Sequence, residues 1–268
     1  MEWRDEAIVL SLKTHGETSV LVELFTVERG RHLGLVRGGK SRKIRPILQV
    51  GNIVNATWRA RLDEHLGAVT VEMEEPIASR LFDEPLALAA LSNLCSLLSL
   101  FPERDPHAGL YKGAKTVLTH MEEETIWPSL LVRFEMEILS ELGYQLDVSE
   151  CAATGSKEEL VFVSPKSGKA VSKEAGEPYK DKLLQLPAFL RGARQDEGRD
   201  EVRERDILNG FALTGFFLER FIFKPETGST YNQGNKNLSP KNSDQYRAEK
   251  AETARNNFLK RLKKTLAR

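Results

Sequence analysis

Cysteine is scarce in this chain. Only Cys95 and Cys151 occur among 268 residues, far apart, which excludes a disulfide framework and suits a reducing compartment. A secretory start is also missing. Residues 1–10 mix charges of both signs and hold no apolar run behind a positive region, so no signal peptide is expected. No apolar run reaches the roughly 20 residues that span a bilayer. Residues 86–101 are interrupted by Ser92, Asn93, Ser96 and Ser99, and residues 207–223 by Asn209, Glu219 and Arg220; both read as core helices. Nor is there an excess of charge of one sign. Thirty-nine basic residues balance 39 acidic ones, so the total says nothing about partners and the distribution along the chain must be read instead. His15, His32, His65, His107 and His120 follow no metal-ligand spacing. No Ser-His-Asp or Cys-His arrangement can be argued, and Glu122, Glu123 and Glu124 read as a solvated helix end. Enzymatic chemistry, a catalytic residue, a metal and a cofactor are therefore not expected.

Forty per cent hydrophobic residues are enough to build a core. The first 80 residues read as strands. Residues 7–12, 19–26, 33–37, 53–61 and 68–73 are short and rich in β-branched or aromatic side chains, and Gly16, Gly30, Gly38, Gly39, Gly51 and Gly67 separate them. Five short strands fit a five-stranded OB barrel, and a small SH3-like barrel would leave a similar pattern. From Pro85 onward apolar residues recur at helical spacing, with Leu86, Leu88, Leu91, Leu94, Leu97 and Leu98 on one face. Helices are expected over 110–121 and 129–142, the second ending at Gly143, and again over 182–190 and 201–223. The fold class is α+β. The expected domains are a barrel over 1–80 and a helical domain over 81–224 with a loop-and-strand insert at 147–180. A flexible linker over 225–245 and a basic helix over 246–268 follow. From Arg247 onward eight basic residues face two acidic ones, Glu249 and Glu252, so this tail is expected to act as a tethered polycation dispensable for folding.

The window 29–61 holds nine basic residues and no acidic one: Arg29, Arg31, Arg37, Lys40, Arg42, Lys43, Arg45, Arg59 and Arg61. Lys and Arg neutralise the phosphates of a polyanion and release its counterions. A strand, the loop after it and the next strand would carry these side chains as one positive surface on a barrel. Trp58 alternates with Arg59 and would offer a base-stacking face if it points outward. A competing motif overlaps the window. Gly34, Gly39, Lys40 and Ser41 fit the P-loop spacing G-x4-G-K-S, but Pro46 and Gly51 leave no room for the long helix a P-loop opens into. The alternative reading is therefore a nucleotide-binding protein, and a Gly-rich basic loop between strands is preferred.

The order of segments resembles the RecO family. The carriers are Trp3, the strand Ile8-Val9-Leu10, His15-Gly16-Glu17, Leu24-Phe25-Thr26, Gly30, Val36-Arg37-Gly38, Leu48-Gln49-Val50-Gly51 and Trp58-Arg59-Ala60-Arg61. Farther on come Arg133-Phe134-Glu135, Ile138-Leu139 and Leu142-Gly143-Tyr144. The resemblance implies an N-terminal OB-fold and a helical remainder with a small insert. It implies a cytoplasmic, nucleoid-associated protein of DNA repair and recombination, acting in the RecF pathway. Such a protein binds single- and double-stranded DNA, anneals complementary strands, and with RecR helps RecA load onto DNA coated by the single-strand-binding protein SSB, whose C-terminal tail it recognises through the helical part. Some members carry a four-cysteine zinc site in the insert. Here Thr154 stands where Cys151 would need a C-x-x-C partner, and no cysteine follows, so a zinc site is not expected.

Overall fold

The computed structural model describes residues 1–62, 65–191, 203–225 and 242–267. Five strands, β1 (Glu2–His15), β2 (Ser19–Thr26), β3 (Gly30–Val36), β4 (Ile53–Arg59) and β5 (Gly67–Glu75), form a closed barrel in the order β1-β2-β3-β5-β4. This is the expected OB-type barrel. All neighbours are antiparallel except β3 and β5, which close the barrel in parallel, with Gly34 opposite Gly67 and Leu35 opposite Ala68. The period-2 pattern drives the closure. Val20, Val22 and Leu24 on β2, Val54, Ala56 and Trp58 on β4, and Val69 and Val71 on β5 all point into one buried cluster with Ala7, Val9, Val36 and Leu48.

Trp58 fills the middle of that cluster. It is 1% exposed, lies parallel to Trp3 at 5.7 Å between ring centroids, and donates its indole N–H to the Leu33 carbonyl at 3.3 Å. Its bulk leaves no room at the seam. A Cβ on Gly67 would come within 2.1 Å of the Trp58 ring, and one on Gly34 within 2.2 Å of the Val69 side chain. The two glycines are therefore required where they pair. Gly34, the first residue of the P-loop spacing, is a seam glycine inside a strand. Turns rather than a long helix follow Ser41, so the nucleotide-binding alternative is withdrawn.

The helices after the barrel are α1 (Ile77–Arg80), α2 (Pro85–Leu98), α3 (Ala108–Thr119) and α4 (Trp127–Glu141). Pro85 at the first position of α2 costs no hydrogen bond there. The insert holds β6 (Leu160–Val163), β7 (Ala170–Ser172), α5 (Lys173–Gly176) and β8 (Leu184–Gln185). Then come α6 (Glu204–Leu218), extended by one π-turn over Glu219–Phe223, and α7 (Asn242–Leu266). The strands β7, β6 and β8 make a small sheet in that order. The helix expected over 182–190 is not formed. Pro187 disfavours helix at Leu186, and Leu184 and Gln185 instead pair with Val163 and Phe162 of β6. Most of the linker expected over 225–245 lies outside the described residues.

By contacts, residues 1–122 with 242–268 form one compact unit, and residues 123–241 form a second. In the first, Cys95 of α2 directs its thiol at the Val9 carbonyl and Leu91 packs over Gly51. Helix α7 packs along α2, with Ala251, Phe258 and Leu262 at 2% exposure or less and Arg255 buried beside them. This corrects the expectation of a tethered tail, since the helix packs on the body of the unit. The spacing 251, 255, 258, 262 is an apolar and Arg-lined stripe at helical period, masked in the sequence by the surrounding charge. In the second unit, α4 and α6 pack together, and the buried Thr214 hydroxyl donates to the Glu135 carboxylate. Replacing the fully buried Phe258 with Ala should cost about 3–5 kcal/mol and lower the urea midpoint of the first unit. An unchanged midpoint would mean that α7 is a free tail.

Candidate nucleic-acid interface

Gly38, at φ +66°, turns the chain out of β3 into a loop that returns at Ile53. The loop is built rather than loose. The Ser41 hydroxyl accepts the Ile44 N–H at 3.3 Å, the Ser41 carbonyl accepts the Arg45 N–H at 2.9 Å, and the Ile44 carbonyl accepts the Leu48 N–H at 3.1 Å. Those bonds wind one helical turn. They direct Ile44, Ile47 and Leu48 onto the barrel core and leave Arg42, Lys43 and Arg45 exposed on the other side. Two anchors hold the turn. Lys40 donates its backbone N–H to the Thr18 carbonyl at 3.2 Å and its ammonium to the Gly16 carbonyl at 2.9 Å, which ties the loop to the β1–β2 turn. Asn52, 1% exposed, donates its amide to the carbonyls of Pro46 and Ile47 and accepts the Ala78 N–H through its side-chain oxygen. Sequence reading missed Asn52. A lone Asn after a glycine looks like any turn residue, and only the three buried backbone groups around it reveal its role.

The nine basic residues do not share one surface. Arg37, Lys40, Arg42, Lys43 and Arg45 are gathered on the loop, exposed, and form no ion pair with a described residue. Five like charges on nine consecutive residues with no carboxylate among them repel one another, an arrangement that a polyanion relieves. Arg29 is exposed at the β2–β3 turn, at the far end of β3. Seven strand residues, roughly 23 Å at 3.3 Å each, put it well beyond the Debye length of about 10 Å at 0.1 M salt. Arg59 is exposed but paired with Glu2 at 2.8 Å, and that hydrogen bond holds the Glu2 carboxyl below the usual range. Arg61 is exposed just past β4.

Two of the expected contacts are overturned. Arg31 is 1% exposed. Its guanidinium donates to Glu23 at 2.6 Å and to the Phe101 carbonyl at 2.7 Å, with Glu103 at 3.5 Å. A strand residue facing a helix-capped side of the barrel is consumed by the fold, so Arg31 cannot reach a phosphate. Trp58 points inward, as the seam requires, and cannot stack on a base. Alternation with Arg59 fixed that the two side chains face opposite sides, but not which one faces water.

Among the described residues no group of three His, Cys, Asp or Glu side chains is placed to hold an ion, and the residues present do not fit a tetrahedral zinc. The Cys151 sulfur accepts the Ser172 N–H at 3.3 Å. Burial pushes this thiol's pKa up, but hydrogen bonds from Ser172, Thr154 and Ala153 more than offset it and bring it to about 6. The sulfur thus ties the turn after Cys151 to the end of β7. Cys95, by contrast, is pushed up to about 12 by burial. No described helix is long and apolar enough to cross a membrane.

Arg31→Ala should cost about 3–5 kcal/mol, since it strands the Glu23 carboxylate in the interior. Arg42→Ala should stay within about 0.5 kcal/mol. Equal costs in chemical denaturation would contradict the division between a structural and a surface cation.

The N-terminal region, residues 1–77, matches the family description "Recombination protein O N terminal", and residues 83–230 match "Recombination protein O C terminal". DNA repair protein RecO of Methylorubrum populi is 52% identical over 231 residues, covering 86% of this chain and 94% of the relative. The RecO of Methylobacterium nodulans is 52% identical over 226 residues, 84% of this chain and 92% of the relative. That of Brucella abortus is 47% identical over 225 residues, 84% and 90% of the two chains. Helix α7 lies beyond both matched regions.

Proposed function

Since the chain belongs to the RecO family of DNA repair proteins, we propose that it is a non-enzymatic, DNA-binding recombination mediator whose strand contact is the loop carrying Arg37, Lys40, Arg42, Lys43 and Arg45. The single observation that carries this reading is the loop itself. Five cations are held outward by a buried apolar underside and two hydrogen-bonded anchors, with no ion pair to a described residue. Contacts of this kind go to phosphates, so sequence preference is low and single and double strands both bind. Arg29 and Arg61 are outlying contacts. Screening of two polyanions on one positive surface lowers their mutual repulsion and favours annealing. Family membership supports the finer partners: RecR as co-mediator, the SSB tail as a ligand of the helical part, RecA as the protein loaded, and the cytoplasmic nucleoid as the place of action. The proposed sequence boundary near residue 80 falls just past β5 and inside the first compact unit, which also takes in α2, α3 and α7, the last starting at Asn242.

Reversing Arg37, Arg42, Lys43 and Arg45 to Glu, which spares the Lys40 anchor to the Gly16 carbonyl, should leave thermal unfolding nearly unchanged and remove strand annealing. At about 0.5–1 kcal/mol for each exposed charge contact, single-strand affinity should fall by at least about 30-fold. A quadruple variant that binds and anneals as the unaltered chain does would move the site away from the loop.

A further inference from the structure

Helix α7 carries a second concentration of positive charge, built differently from the loop. Lys260, Arg261, Lys263 and Lys264 are all exposed and pair with no carboxylate among the described residues. Glu252 is the last acidic residue of the sequence. The helix is not free to turn. At about 100° per residue, Ala251, Arg255, Phe258 and Leu262 fall within one narrow arc, and these are the residues buried against the first unit. On the same wheel Lys260, Arg261, Lys263 and Lys264 spread over about 160° centred on the opposite side. The packing that fixes α7 therefore aims the four cations at solvent as a rigid ridge. Cations at a helix C-terminus do favour its dipole, but that amounts to about half a charge and leaves most of four charges uncompensated. They sit within about 6 Å along the axis, inside one Debye length.

The direction of α7 adds a second observation. Arg247 near its start approaches Glu103, just past the C-terminus of α2, and from there α7 runs back along α2. α2 meets the Arg31 end of the barrel near Phe101 and the return of the basic loop near Gly51, through Leu91. The cationic end of α7 thus extends away from Arg31 and Glu103, in the direction in which α2 runs from Phe101 back to Leu91.

We propose that the Lys260, Arg261, Lys263 and Lys264 ridge of α7 is a second DNA-phosphate surface that holds one strand while the loop holds another. The inference rests on the reading of the loop as a strand contact. It assigns to annealing a two-site mechanism, with both strands bound to one chain before they pair.

The test uses the full chain with a short oligonucleotide and an excess of a second, non-complementary one, and counts strands bound per chain. The comparison is with Lys260→Gln, Arg261→Gln, Lys263→Gln and Lys264→Gln together, neutral changes at exposed positions that do not oppose the helix dipole, and with the loop charge-reversal variant. Circular dichroism melts check that each variant folds. The unaltered chain should bind two strands, the α7 variant one, and the loop variant one. The α7 variant should also anneal more slowly while keeping the affinity of the unaltered chain for a single strand. Two strands on the α7 variant would overturn the proposal, including the case in which that variant loses only an acidic peptide such as poly-glutamate. Two strands on the loop variant, with one on the α7 variant, would sink the loop reading and leave α7 standing. A melt showing the Gln variant unfolded would overturn the claim that the four side chains face solvent.

Discussion

The indole of Trp58 sets the geometry on which the candidate interface depends. A buried ring of that size leaves room only for glycine at position 67, as the Val69 side chain does at position 34, so the seam strands β3 and β5 meet at two glycines in one register. A one-residue slip would bring Val36 out of the core and carry Arg37 inward. Because the register is pinned, β3 ends with Arg37 at the surface and Gly38 free to take a positive φ. The loop that follows can then press Ile44, Ile47 and Leu48 on the core beside Trp58. The cations are outside because the apolar residues of the same turn are inside. The outward cations, and with them the proposed phosphate contact, thus depend on core packing to which the tryptophan contributes from inside.

Arg31 plays the complementary part at the other end of β3. Its desolvated guanidinium is balanced by Glu23 and by the Phe101 carbonyl. Glu103, which it also approaches, faces Arg247 of α7 at 3.9 Å. Barrel, interhelical segment and terminal helix therefore share one alternating run of charges. Buried pairs of this kind add little net stability but make any other arrangement costly, since each would leave a charge unpaired in the interior. The buried part of the run is the Arg31–Glu23 pair; α7 joins it only through the partly exposed Arg247, and its position comes from the buried stripe Ala251, Arg255, Phe258 and Leu262.

Much of this fold is legible in the sequence where period and composition agree. The five strands, the helices over residues 85–98, 108–119 and 127–141, and the family resemblance all follow from patterns spanning many residues. The misses share one cause, in that a long-range contact decides what a local pattern leaves open. Alternation could not tell whether Trp58 or Arg59 faces water. Nothing near Arg31 announces Glu23 and Phe101 as its partners, and the stripe Ala251, Arg255, Phe258 and Leu262 is hidden among seven further cations. The segment 182–190 has the composition of a helix, yet β6 offers it a strand partner. Of the nine expected DNA contacts, the five consecutive on one loop stay together, because a loop's own sequence keeps neighbours close. The four set by strand placement scatter.

The central claim is that a phosphate backbone is held by the charges of one loop, and the salt dependence of strand binding tests it most directly. Single-strand affinity of the unaltered chain should be measured across a range of salt concentrations with an oligonucleotide short enough to occupy one site. A plot of log affinity against log salt should be linear, with a slope near −3 to −4 for about five neutralised phosphates at roughly 0.7 each. A slope near zero would contradict the account, since binding that ignores salt cannot rest on Arg37, Lys40, Arg42, Lys43 and Arg45.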